Sequence, residues 1–492
     1  MVQEASPKPS PFAADVLTLV SGTAVAQVIA IIASPVLTRL YGPESFGLLA
    51  LFTSITGIIG VIACMRYELA IMLPPDDKDS INILGLCFLM VTIITVITSI
   101  GLFLGSGALL SILNAQDLAP YVWLVPPFIF VSGLFLALNY WNSRTRHYGR
   151  LSIARVTSAL TTTGTQLGAG FGGFASGGSL IGASLVGSAV STGVLGGQIW
   201  REDGALIKKN LSWKGIVAGL RRYKKFPLID STSALLNIIS WQLPVLLLST
   251  FFSPVIVGFY ALGMMVLQTP MKFIGGAIAQ VFFQRAAADY HHGNLSVFVK
   301  EVFDVLLKIG IFPMLLISIS GMDLFIVIFG EAWGEAGIYA QLLSIWAIFW
   351  FISSPLSTIL SVTEKLKMNF ILTTLNLGIR FISLLIGGFL ENVYLAIALL
   401  SFSGVLVYGF ACLIFLNVAG LKMMHNLRMI MRVLLYSIPF LIPLIIIKFL
   451  KFSTILISSI ALISGIIYFL VIFFTDAKFR NILLFYRILD DR

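Results

Sequence analysis

The stretch INILGLCFLMVTIITVITSIGLFLG, residues 81–105, contains no charged side chain. A helix on the surface of a soluble core keeps one polar face, and this run has none to offer. About 20 apolar residues cross the hydrocarbon core of a bilayer. Backbone polar groups there must pair within their own segment, so the run is a membrane-spanning helix. The apolar residues are continuous rather than alternating, which argues against a barrel.

Working outward, similar runs are expected at 13–40, 46–73, 119–141, 151–173, 178–200, 226–251, 255–284, 301–329, 336–361, 368–390, 393–418, 430–449 and 453–474. With 81–105 these make about 14 spans. The chain is 58% hydrophobic and 11% charged, with a mean hydropathy of +0.98. The expected fold class is an all-α polytopic membrane protein: two six-helix lobes around a central cavity, plus two C-terminal helices. Ala24-Val25-Ala26 looks like a signal-peptidase site, but the apolar run continues to Leu40, so an uncleaved first span is expected.

The basic residues set the orientation. Of the 32 Lys and Arg residues, 24 fall in every second connection or in the tails, three in the alternate connections and five inside spans. That bias places both termini on the cytoplasmic side. The acidic 74–80 loop is its weakest element. The net charge of +10 is explained by loops facing anionic lipid headgroups, not by nucleic acid. Residues 201–225 mix Trp213, Ile216, Val217 and Leu220 with many cations. They are expected to form a basic amphipathic linker helix on the cytoplasmic surface.

The chain also repeats at an offset of 211. Pro43, Gly47, Ala50 and Leu51 correspond to Pro254, Gly258, Ala261 and Leu262. The expected organisation is an N-terminal lobe at 1–200, the linker at 201–225, a C-terminal lobe at 226–420, and two further helices with a tail at 421–492. Six spans per lobe make the repeat parallel, a design that supports alternating access. Gly164, Gly168 and Gly172, at four-residue spacing, are expected to pack helices closely through a small face.

Ionisable groups deep in a span face a cavity or a partner. Lys272 and Arg380 lie mid-span, and Arg66 lies near the inner end of span two. Arg39, at the outer end of span one, joins them. These four are the candidate substrate-binding cations, and cations lining a cavity imply an anionic passenger. A guanidinium suits phosphate because its fork holds two oxygens at once. Glu68 and Asp230 are candidate counter-charges or coupling-proton carriers, with helix capping as the structural alternative for Asp15 and Asp230. Two residues apart on a helix, Arg66 and Glu68 are expected to have separate partners. Arg155 is expected to snorkel to headgroups, and Lys308 to pair with Asp304 one turn back.

Enzymatic readings find little support. The histidines (His147, His291, His292, His425) fall in cytoplasmic connections, and Cys64, Cys87 and Cys412 lie in spans as packing residues. There is no Gly-x-Ser-x-Gly elbow, nucleotide loop or paired-cysteine motif. No catalytic residue, metal or cofactor is expected.

Pro35-x-x-Thr38-Arg39-Leu40-Tyr41-Gly42-Pro43-x-x-Phe46-Gly47 resembles the first-hairpin signature of polysaccharide flippases. These are the Wzx-like proteins of O-antigen and exopolysaccharide assembly, in the multidrug/oligosaccharidyl-lipid/polysaccharide exporter superfamily. Arg66-Tyr67-Glu68-Leu69-Ala70-Ile71, Lys225-Phe226-Pro227, Trp241-Gln242-Leu243-Pro244 and Gln280-Val281-Phe282-Phe283 extend the resemblance in order over about 1–290. It implies transfer of an undecaprenyl-diphosphate-linked oligosaccharide to the outer leaflet of a bacterial inner membrane by alternating access. It also implies membrane lipids as partners and leaves open glycan polymerase and other assembly proteins. One departure is the absence of an Arg just before Pro270, where Lys272 is the nearby cation. The competing readings are a multidrug exporter of the same superfamily and a membrane glycan polymerase or ligase.

Overall fold

The structure is a computed structural model that describes residues 11–271, 294–421 and 423–476, with 282, 285, 286, 290 and 480. Among these residues it is helical, with no strand. Twelve of the described helices are long and apolar enough to cross a membrane. The other two expected spans also fall on helices. One is Tyr148–Phe171, whose apolar character is diluted by Arg150, Arg155 and three consecutive threonines. The other is Pro254–Pro270, whose expected continuation to 284 lies largely outside the described residues. The chain divides into two compact units, Met1–Gly258 and Phe259–Arg492.

The first unit holds α1 (Pro11–Leu40), α2 (Pro43–Gly60), a short α3 (Tyr67–Ala70), α4 (Asp77–Ile112), α5 (Val125–Arg144), α6 (Tyr148–Phe171), α7 (Gly177–Asn210), α8 (Trp213–Arg222), α9 (Ser231–Phe251) and the start of α10 (Pro254–Pro270). Pro43 begins α2 after an extended Gly42, because proline at the first helical position loses no needed donor. Ser176 caps α7 by accepting from the Ser179 N–H at 3.3 Å, and Ser212 caps α8 by accepting from Gly215 at 3.2 Å. Tyr41 is buried at the α1–α2 corner and donates its hydroxyl to the Gln166 carbonyl of α6 at 2.6 Å.

The glycines of α6 and α7 divide their work differently from the sequence expectation. Gly164 and Gly168 face open space. Close packing is carried instead by Gly170 beneath Leu40 and Tyr41, Gly177 beneath Leu48, Gly178 against Tyr121 and Gly187 against Thr162 of α6. Four-residue spacing marks a common face but does not say what covers it.

α8 forms within the expected linker. Its Gly219 is buried near Ile83 and Leu86 of α4, while Lys214, Arg221 and Arg222 are exposed. Asn82 ties the α4 start to the linker, donating to the Asn210 carbonyl at 3.2 Å and accepting from the Ser212 N–H at 2.8 Å.

The second unit contains the rest of α10, α11 (Leu295–Phe329), α12 (Gly334–Leu356), a short α13 (Ile359–Val362), α14 (Leu366–Phe389), α15 (Val393–Val418), α16 (Met423–Phe449) and α17 (Thr454–Thr475). α11 and α12 pair along their length, α12 packs on α15, and α15 packs on α14. α17 docks on α11 through Phe312 and Tyr468, whose rings stack at 3.9 Å between centroids.

Candidate functional site

Span two is not one helix. α2 ends at Gly60, and residues 61–66 form a series of tight turns in which the Ile62, Ala63 and Met65 N–H groups bond three residues back. Met65 and Arg66 take left-handed backbone angles, φ 51° and 62°. Such angles are costly for residues with a side chain and persist where surrounding packing imposes them. Here Ala63 and Cys64 are fully buried, and the Cys64 thiol reaches the Gly133 carbonyl of α5 at 3.5 Å. Irregular backbone in a membrane protein is tolerated where protein or a water-filled cavity surrounds it.

The break corrects the expectation that Arg66 and Glu68 have separate partners. That expectation assumed helical geometry, and the left-handed turn swings the two side chains together. Arg66 Nη1 donates to Glu68 Oε1 at 3.3 Å, and its Nε donates to Asp230 Oδ2 at 2.6 Å. Glu68 is completely buried, and its second oxygen has no hydrogen-bond partner among the described residues. Asp230 ends a five-residue π-helical turn, Phe226–Asp230, that leads into α9. It does not cap α9 with its side chain and spends its carboxylate on Arg66 instead. π-turns inside helices recur where a side chain must be re-aimed.

The resulting triad is graded in exposure: Glu68 at 0%, Arg66 at 22% and Asp230 at 43%. A guanidinium has five N–H donors, and the two carboxylates engage two of them. The fork is thus positioned between a buried acid and Asp230, the more solvated of the two.

The other candidates lie in different settings. Arg39 is exposed at the end of α1 and donates to the Pro35 carbonyl at 3.0 Å. It sits beside the α2 start, whereas Arg66 follows the α2 end, so the structure does not bring these two together. Lys272 lies outside the described residues. Arg380, in the middle of α14, is 1% exposed. Its guanidinium lies 5.0 Å from the Trp346 ring centroid and 6.0 Å from that of Tyr408, an aromatic cradle built from α12 and α15. Asn376, one turn earlier on α14, donates to the Tyr408 hydroxyl at 3.4 Å.

The two other in-span cations have structural partners. Arg155 donates to the Thr23 hydroxyl of α1. Lys308 binds Asp304, as expected, and also Asp476 just past α17. Two cations read from sequence only as orientation markers turn out to be clasps. Arg144 bonds Asp77 at 3.0 Å together with the Ile71 and Pro75 carbonyls, which ties the acidic 74–80 loop to the connection after α5. Arg150 pairs with Glu202 and with Asp203, which also accepts from buried Trp141 at 3.0 Å. No local pattern marks these long-range acids as partners.

A model of the family described as polysaccharide biosynthesis protein matches residues 36–338. No curated protein matches the sequence. The fold is similar to that of a solved lipid II flippase, MurJ, in an inward closed conformation. That likeness covers 92% of this chain and 98% of the other, with a TM-score of 0.71 and 11% identity. It is also similar to an inward-facing multidrug resistance MATE family transporter of the MOP superfamily, over 80% of this chain and 95% of that one, with a TM-score of 0.59 and 15% identity. At these identities the likeness shows a shared all-helical fold. The family match covers more than half of the chain, and the chain therefore belongs to the polysaccharide biosynthesis protein family.

Proposed function

We propose that this protein is a flippase that moves an undecaprenyl-diphosphate-linked oligosaccharide from the cytoplasmic to the outer leaflet of a bacterial inner membrane, for surface polysaccharide biosynthesis. The observation that carries the reading is Arg66, a guanidinium held by two acids at a break in a membrane helix. Family membership and the flippase-like fold support it. In this reading Arg39, Arg66, Lys272 and Arg380 draw in the diphosphate or acidic sugars, and Glu68 and Asp230 balance their charge. The lobes at 1–200 and 226–420 rock to expose the cavity alternately, and both termini are cytoplasmic. The chain works as a carrier without chemistry of its own.

Arg380 acts through its aromatic cradle. Buried between Trp346 and Tyr408, it contributes fixed positive charge to its surroundings.

The test is complementation of a strain lacking the protein, with surface glycan and membrane abundance measured together. Lys272→Ala and Arg380→Ala are each expected to abolish surface glycan while the protein stays in the membrane. Normal glycan in both variants overturns the cationic-cavity assignment. Energised drug efflux by the purified protein, without movement of the lipid-linked glycan, overturns the substrate.

A further inference from the structure

The two copies of the internal repeat meet in the first unit. Pro43 begins α2, and Pro254, its counterpart at offset 211, begins α10. Four residues into each helix stands a glycine, Gly47 or Gly258. A Cβ added to Gly47 would lie 1.7 Å from the Pro254 carbonyl oxygen, and a Cβ added to Gly258 would lie 1.9 Å from the Pro43 carbonyl oxygen. From the Cβ added at either glycine, the other's backbone nitrogen would be 3.1 Å away. The contact is reciprocal: each helix start presents a glycine to the other's proline carbonyl.

Such a seam is close in space and weak in energy. Every side chain would clash there, so only glycine fits. What remains between the helices is a pair of Cα–H···O contacts, worth about 0.5–1 kcal/mol each. Proline at both helix starts removes an N–H that would otherwise need a partner. Two hydrogen bonds flank the seam: Asn114 donates to the Phe252 carbonyl at 2.9 Å, and Ser249 donates to the Leu113 carbonyl. Among the described residues no ion pair joins the two helix starts, so parting the seam has chiefly these two flanking hydrogen bonds to break.

We propose that Gly47 and Gly258 form the outer closure of the transport path, a backbone seam between repeat-related helix starts that parts and re-forms in each cycle. The seam lies on the side assigned as outer by the charge distribution, since Glu44 belongs to the connections poor in cations. The inference rests on the transport reading for its purpose, while the seam has its own readout.

Ser54 lies two turns deeper on α2 and is fully buried, so Ser54→Cys serves as a reporter for a membrane-impermeant maleimide added from outside. Gly47→Ala and Gly258→Ala are each expected to prop the seam open and raise the labelling rate several-fold. Gly101→Ala, at a glycine with open space around it, is expected to leave the rate unchanged. Wild-type labelling rates in both seam variants overturn the proposal and leave the flippase reading standing.

A second measurement keeps both glycines. Glu44→Cys and Val255→Cys, each one residue past its proline, are joined by a short reducible cross-linker. Transport of the lipid-linked glycan is expected to stop and to return on reduction. Undiminished transport in the cross-linked protein overturns the seam. A protein that carries no lipid-linked glycan before cross-linking, yet shows the expected labelling response, retains the seam and loses the flippase assignment.

Discussion

Arg66 and Lys308 are each a cation between two carboxylates, yet their surroundings differ in almost every other respect. Lys308 sits on an unbroken α11, takes Asp304 from one turn back, and reaches Asp476 beyond α17. Its acids are similarly exposed, at 26% and 24%. The same contact region includes Tyr468, which stacks on Phe312 and donates to the Lys308 carbonyl at 3.0 Å. Everything there fastens α17 to α11. Arg66 instead sits at left-handed backbone, binds one fully buried acid and one half-exposed acid, and joins two irregular segments. A fastening motif needs neither strain nor such a gradient of exposure. The difference teaches that ion-pair count alone does not distinguish the two sites, and that on the proposed reading backbone cost and asymmetric solvation mark the working charge.

Substitutions can break this comparison, and the largest effect is expected at Arg66. Removing the cation alone leaves Glu68 buried with no counter-charge, a loss of about 3–5 kcal/mol for a buried pair. The double variant Arg66→Ala with Glu68→Gln is expected to regain thermal stability over Arg66→Ala and still fail to move glycan. Recovery of transport in the double variant would reduce Arg66 to a fastening role. Arg66→Lys comes next: a point charge cannot span Glu68 and Asp230 as a fork does, so most transport should be lost with membrane abundance retained.

Lys308→Met follows, with a stability loss of about 1–2 kcal/mol, because water relieves the half-buried acids. Transport per molecule should be unchanged, and a transport-dead Lys308→Met protein of normal melting temperature would erase the distinction. Smallest is Lys308→Arg, expected to stay within about 0.5 kcal/mol of the parent in a thermal melt.

Much of the architecture was legible from residue order. Long uncharged runs forced membrane helices, and the cations mixed with Trp213, Ile216 and Leu220 foretold the helix at α8. The offset-211 match located Gly47 and Gly258, although not their contact. The break after Gly60 was hidden because Met65 and Arg66, not glycines, carry the positive φ. Nothing in apolar periodicity signals that exception. The Arg66–Glu68 contact was misread for the same reason. The clasp of Arg144 on the acidic loop spans 67 residues to Asp77, and Lys308 finds Asp476 at a separation of 168. Such distant pairings come from tertiary packing, which local pattern does not encode. Within the described residues, packing also reassigned the small-residue contacts from Gly164 and Gly168 to Gly170 and Gly177.

The early end of α2 bears on how the protein sits in its bilayer. Eighteen helical residues rise roughly 27 Å, against a hydrocarbon core of about 30 Å. An uninterrupted helix through 46–73 would have overshot that thickness. The broken span undershoots it, and residues 61–66, none of them exposed, complete the crossing against protein rather than against lipid. The depth of the Arg66 charge is thereby set by how these turns pack, not by the length of the surrounding acyl chains.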